Sequence, residues 1–124
     1  MATRKFSSIS VATTLASSIS SVATSATVAT ATGNALLGGV GLTTGDQFTV
    51  AIDPDTANEE IVFVTAQATD VLTITRGRAG TSNIAHSAGA SVKHVLTSDD
   101  LNAFEAGLDG SAGGTVSSLM LMGG

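Results

Sequence analysis

The side chains able to do chemistry in this 124-residue chain fall into three small groups. Asp53, Asp55, Asn58, Glu59 and Glu60 crowd one stretch, Arg76 and Arg78 flank a glycine, and His86 and His94 stand apart downstream. Oxygen ligands so close together invite a calcium site. A calcium loop of the EF-hand kind, however, spans about a dozen residues with a central glycine and a distal glutamate, which this stretch does not match. Pro54 also stiffens the second position, so the pattern reads as an Asx-stabilised turn entering a strand. Glu59 and Glu60 could form an acid/base pair only if they shared a face. Neighbours on a strand point to opposite faces, so the two diverge and read as solvated or salt-bridged, with Arg76 or Arg78 as the candidate partners. The histidine spacing fits no known ligand pattern, and His86 beside Ser87 lacks an oriented acid and a nucleophile elbow. Both histidines are expected to make structural hydrogen bonds. The Arg76-Gly77-Arg78 fork could grip an anion bidentately, but in an acidic chain it reads as an internal or intersubunit clamp. Gly38 to Gly41 is too short for a phosphate loop and lacks its lysine. No metal, cofactor or catalytic set is expected, and the chain reads as a non-enzyme.

Composition narrows the function classes further. The formal charge is −5, with 12% charged residues, no cysteine, no Trp or Tyr, and four Phe. A net acidic chain without a basic face does not track nucleic-acid phosphates. Without cysteine, disulfides and thiolate metal sites are excluded. No apolar run approaches the roughly 20 residues of a membrane span, and residues 7–32 alternate Ser and Thr with apolar residues, unlike a signal peptide. A charge share about half the usual predicts a surface covered by neighbouring subunits.

The elements that must position these groups are mainly β. Phe48, Val50 and Ile52 share one face of a strand over 47–53, and the EIVFVT run at 60–65 is apolar on both faces, as a central strand is. Val71 to Thr75 follows after a loop of about five residues, giving a hairpin. Residues 76–89 form a long irregular connection, and 91–96 a further strand with Val92, His94 and Leu96 on one side. Thr97 or Ser98 caps a short helix with Asp99 and Asp100 in its first turn and Leu101, Phe104 and Leu108 on its apolar face. Upstream, Leu15, Ile19, Val22 and Val28 recur regularly enough to order the Ser/Thr-rich segment 11–32, and 33–45 is a glycine-rich loop that packs. The expected fold is a small antiparallel sandwich or barrel-like module over 11–110, ending in one short C-terminal helix. Extended arms lie at 1–10 and 111–124, and the first is expected to order only against a partner.

With these pieces placed, residues 12–105 resemble a small module recurrent in tail-fibre, appendage and other virion proteins of tailed bacteriophages. The resemblance is carried by Thr13-Thr14-Leu15, FTVAID at Phe48 to Asp53, NEEIV at Asn58 to Val62, LTITRG at Leu72 to Gly77, Gly80-Thr81, Ala85 to His94, and Asp99-Asp100-Leu101. It implies a structural virion protein whose partners are other capsid or tail proteins. It also implies homo-oligomers, with trimers as the common form. Longer relatives carry a shaft or receptor-binding part after the module, whereas this chain stops about twenty residues past the helix. The expectation is therefore a capsid-surface decoration or accessory protein, with a tail or tail-fibre attachment protein as the alternative. A small carbohydrate-binding module is more distant, because sugar stacking uses exposed Trp or Tyr. The residues expected to contact partners are Phe6, Arg76, Arg78, Leu119, Met120, Leu121 and Met122, the last four because large apolar side chains tend to dock on a neighbour.

Overall fold

Alternating and continuous apolar runs become the centre of one curled sheet. The computed structural model describes residues 3–98 and 100–102. The expected helix face at Phe104 and Leu108, the cluster Leu119, Met120, Leu121 and Met122, and the C-terminal arm lie outside these residues. In chain order the elements are β1 (Thr3–Lys5), β2 (Thr13–Thr14), β3 (Ser25–Thr27), α1 (Gly33–Leu37), β4 (Asp46–Ile52), β5 (Glu60–Ala68), β6 (Val71–Arg78) and β7 (Ser91–His94). The fold is mainly β, a curled antiparallel half-barrel with a short helix.

The strands lie in the order β2-β7-β4-β5-β6-β3. β4 pairs along one edge with β5 and along the other with two strands end to end. β7 lies antiparallel against Val50 to Ile52, and β1 lies parallel against Asp46 to Phe48. The outer strands β2 and β3 are tied together by a bridge between Leu15 and Val28. Two backbone bonds reinforce it, Ala16 N to Thr27 O at 2.8 Å and Ala29 N to Thr14 O at 2.9 Å. The curl is thereby held shut across its open side.

Period-2 alternation sends Phe48, Val50 and Ile52 of β4, Val62 and Val64 of β5, Leu72 and Ile74 of β6, and Val92 of β7 into one buried cluster. One end of this core is plugged by α1, whose Leu36 and Leu37 are buried in it. Asp70, in the β5–β6 turn, fixes the plug by accepting hydrogen bonds from the amides of Ala31, Thr32 and Gly33 at 2.9, 3.2 and 3.0 Å. These amide bonds, that of Gly33 foremost, hold its carboxyl below the ordinary value.

Several expectations are corrected. β5 runs on to Ala68, so the hairpin loop is Thr69-Asp70 and not five residues, with Thr69 in the left-handed region at φ 57°. The glycine-rich loop contains the helical turn α1. Val22 is 76% exposed, unlike Leu15, Ile19 and Val28, which are buried. The strand β7 ends at His94, and Leu96 is exposed. The N-terminal segment is extended, as expected of an arm, yet over Thr3–Lys5 it orders against its own β4. The helix start is as expected: Asp100 N donates to Thr97 Oγ1 at 3.1 Å, and Thr97 N donates back to Asp100 Oδ2 at 3.0 Å, a reciprocal capping box.

The approach of α1 to the hairpin turn leaves no room at Gly33, where an added Cβ would lie 2.0 Å from the Thr69 carbonyl oxygen. Gly33→Ala is expected to destabilise the fold by about 1–3 kcal/mol, the cost of overpacking against backbone. A chemical denaturation midpoint equal to the parent's would contradict this close approach.

Candidate functional site

The alternation that fills the core also carries two charged residues onto its inner face. Glu60 precedes Val62 and Val64 on β5, and Arg76 follows Leu72 and Ile74 on β6. Both therefore point inward at the end of the core opposite α1. A register shift between Ile61 and Phe63 sets Arg76 and Gly77 against a single residue of β5, a bulge that Gly77 adopts at φ 58°. The bulge turns the Gly77 amide toward Glu60 Oε2 at 2.9 Å.

Glu60 is fully buried, so its carboxylate must find partners inside the protein. Arg76 donates to it bidentately, Nε to Oε2 and Nη2 to Oε1, both at 2.8 Å. His86 Nε2 lies 2.9 Å from Oε1, and the Ile84 amide donates at 3.1 Å. Burial pushes the Glu60 carboxyl up, but Arg76, His86 and the two amides outweigh it and hold the group down at about 2.

Arg76 is equally saturated. Beyond Glu60, its Nη1 donates to the carbonyls of Ser20 and Ala23 at 2.7 and 3.0 Å, and Nη2 to that of Ile84. All five guanidinium N–H groups thus have acceptors within the chain. The clamp is internal, and no donor is left for a partner subunit. Asn83 adds a further tether to the same segment, donating to Ser21 O at 2.9 Å.

His86 continues the network outward, its Nδ1 lying 2.8 Å from Asp53 Oδ2. Its backbone forms a two-way bridge with Ile19. Both ring nitrogens face carboxylates, so neither is available to activate Ser87. Asp53 is engaged by this histidine, while the turn after it is shaped by Thr56 Oγ1 donating to Asp53 O and by Glu59 accepting from the Asp55 amide. Glu59 and Glu60 diverge as strand geometry requires. Among the described residues no group of three or more His, Cys, Asp or Glu is arranged to hold a metal ion.

No family model and no curated protein matches this chain. Functional assignment therefore rests on what its own residues do.

His94 lies apart from His86, across the sheet. It stacks on Phe48 with centroids 4.0 Å apart, its Nδ1 donates to Thr49 O at 2.7 Å, and its Nε2 accepts from the Ser7 amide at 3.4 Å. Close by is a second buried carboxylate. Asp100 accepts from Arg4 Nη1 at 2.6 Å and Thr49 Oγ1 at 2.9 Å, besides both donors of Thr97. Burial raises its carboxyl, and the Thr97 amide with Arg4, Thr49 and the Thr97 hydroxyl lowers it below the ordinary value. Arg4 and Arg78 both lie over the Phe63 ring, at 4.8 and 5.2 Å from its centroid. Arg78 itself remains exposed.

An apolar groove of about 490 Å³ opens between the segment after β1 and the segment after β7, lined by Phe6, Ser7, His94, Leu96 and Leu101 among others. Phe6, Leu96 and Leu101 are 42%, 60% and 52% exposed. Of the expected contact residues in the described part, Phe6 and Arg78 are on the surface and Arg76 is in the interior. The Arg4–Asp100 pair went unread, although the Thr97-x-x-Asp100 spacing of a capping box was its visible half.

Two outcomes follow from the Glu60 network. Arg76→Ala strands a buried carboxylate and is expected to cost about 3–5 kcal/mol, whereas replacing Glu60 and Arg76 together by apolar residues costs less than the single change. A double-mutant cycle by urea denaturation reads this, and additive losses would rule it out. The second outcome concerns acid. The folded Glu60 carboxyl lies below its ordinary value of 4.5. Its stabilisation, on the order of 3 kcal/mol, is therefore complete above about pH 4.5 and is lost as pH falls toward 2. Stability measured over that interval should fall less steeply in Glu60→Gln, and an equally steep fall would show that other carboxylates carry the acid limb.

Proposed function

We propose that this chain is a non-enzymatic structural component of a tailed-phage particle, acting as a homo-oligomeric decoration or accessory protein on the capsid surface. One observation supports the structural reading above the rest. Three of the segments that carry the resemblance, NEEIV, LTITRG and AHSAGA, contribute Glu60, Arg76 with Gly77, and His86 to a single interior contact. The residues most able to do chemistry hold the module together and are saturated in doing so. What the described surface offers instead is low charge and an exposed apolar groove, features suited to protein contact. Phe6, at the rim of that groove, is the residue through which we place a partner contact.

Cryo-electron microscopy of the particle carrying this chain tests the location. Density at fixed stoichiometry over the icosahedral shell is the expected result. Density confined to the tail would replace decoration by a tail-adaptor role, and no density anywhere on the particle would end the virion reading. Phe6→Ser is expected to reduce the copies incorporated at least several-fold while leaving the melting temperature of the purified protein within a few degrees. Normal incorporation of this variant would remove Phe6 from the contact.

A further inference from the structure

His86 is held between two carboxylates, and the two ends of that contact are unequal. An imidazole donates from both ring nitrogens only when it carries both protons. With one proton, it keeps one of the two contacts and turns a lone pair toward the other carboxylate. On the Glu60 side the acceptor is fully buried and fixed by Arg76 and by the amides of Gly77 and Ile84. On the other side the Asp53 side chain is 26% exposed. Asp53 also holds a left-handed backbone at φ 56°, a conformation a non-glycine residue keeps only when its surroundings hold it. Asp55, next but one, is left-handed as well at φ 62°.

We propose that His86 is a proton-operated latch on the 53–59 turn: when the ring loses one of its two protons it stays on Glu60 and releases the Asp53 carboxylate. The charged and titratable groups around it are few. Asp53 comes from the end of β4, Glu60 from β5 and Arg76 from β6, while Asp55 and Glu59 lie on the turn itself. Residues 11–30, which meet His86 through the backbone bridge at Ile19, carry no charge. With both protons on the ring, two cations face the two carboxylates of the network. Loss of one leaves the exposed carboxylate without its cation, and water can solvate Asp53 but not Glu60. The core pair survives, and the turn with its three carboxylates, Asp53, Asp55 and Glu59, loosens. This device follows from the geometry of the network alone and does not depend on the virion role proposed above.

The test uses the full chain, unmodified, with nitrogen-15 NMR of the imidazoles to read the protons on each ring nitrogen of His86 as pH is varied. His94 is the internal reference, because its Nδ1 donates to a carbonyl and its Nε2 accepts from an amide. In the same samples, hydrogen exchange is followed at the Asp55 and Glu59 amides, both bonded within the turn, and at Gly77 and Ile84, both bonded to Glu60. After correction for intrinsic exchange, protection at Asp55 and Glu59 is expected to drop roughly tenfold over the interval in which His86 loses its Nδ1 proton, the scale of one lost charge-assisted hydrogen bond. Gly77 and Ile84 should keep their protection. In Asp53→Asn the step at the turn should vanish. Loss of the Nε2 proton instead, a turn that does not respond, a step that persists in Asp53→Asn, or opening of Gly77 and Ile84 together with the turn would each overturn the latch.

Discussion

A carboxylate buried at the end of an aliphatic core governs much of this architecture. Removing Glu60 from water is costly unless every lone pair is answered, and the answers come from parts of the chain far apart in sequence. Arg76 lies on the neighbouring strand, Gly77 in a bulge, and Ile84 and His86 in the long connection before β7. The bulge at Gly77 makes sense in this light. A regular ladder would keep the amide paired across the strands, whereas the left-handed turn frees it to reach Glu60. Apolar residues of similar volume could fill the same space at equal or better stability, so the pair is better understood as specifying one arrangement of loops than as strengthening the core.

That distinction matters most for residues 11–32. The segment is built of Ser, Thr and Ala with a few aliphatics and no charge, so its own side chains discriminate weakly between strand registers. Buried Leu15, Ile19 and Val28 choose a face. Position along that face is set from outside, by Arg76 holding the carbonyls of Ser20 and Ala23 and by Asn83 holding that of Ser21. A side chain that reads as a candidate anion clamp thus acts as a register stop for a low-complexity segment. Val22 is exposed because it lies inside this tethered loop, where backbone and not side chain is held.

What was legible in the sequence followed period. The strands through Phe48 to Ile52 and Glu60 to Val64 stand where alternating or continuous apolar residues place them, and the Thr97–Asp100 cap shows in residue type and spacing. The divergence of Glu59 and Glu60, and the structural role of both histidines, followed from strand geometry and from the lack of ligand spacing. Harder to read were features decided by distant partners. The Thr69-Asp70 turn puts a β-branched residue in a left-handed conformation, against local preference, because Asp70 must reach the amides of α1. The helix α1 is too short for a periodic signal and exists because Leu36 and Leu37 plug the core. Thr3–Lys5 lacks apolar alternation and gains its strand from the edge of β4 and from Arg4 meeting Asp100.

Asp100 repeats the logic of Glu60 on the opposite face of β4. One carboxylate without solvent exposure joins the cap of a helical turn to Thr49 in the sheet and to Arg4 on β1. Since β1 and β7 share one edge of β4 end to end, Asp100 and His94 together fasten both: Arg4 reaches Asp100, the Ser7 amide meets His94, and His94 itself holds Thr49 O. Glu60 and Asp100, both fully buried, therefore tether the two kinds of segment that a small aliphatic core specifies least, the low-complexity strands and the chain start. A charge-poor protein can stay singly folded in this way although its aliphatic core is small. The same economy leaves Phe6, Leu96 and Leu101 uncovered beside Asp100. Their exposure follows from where the tethers end, and it is there that the fold has apolar surface to share.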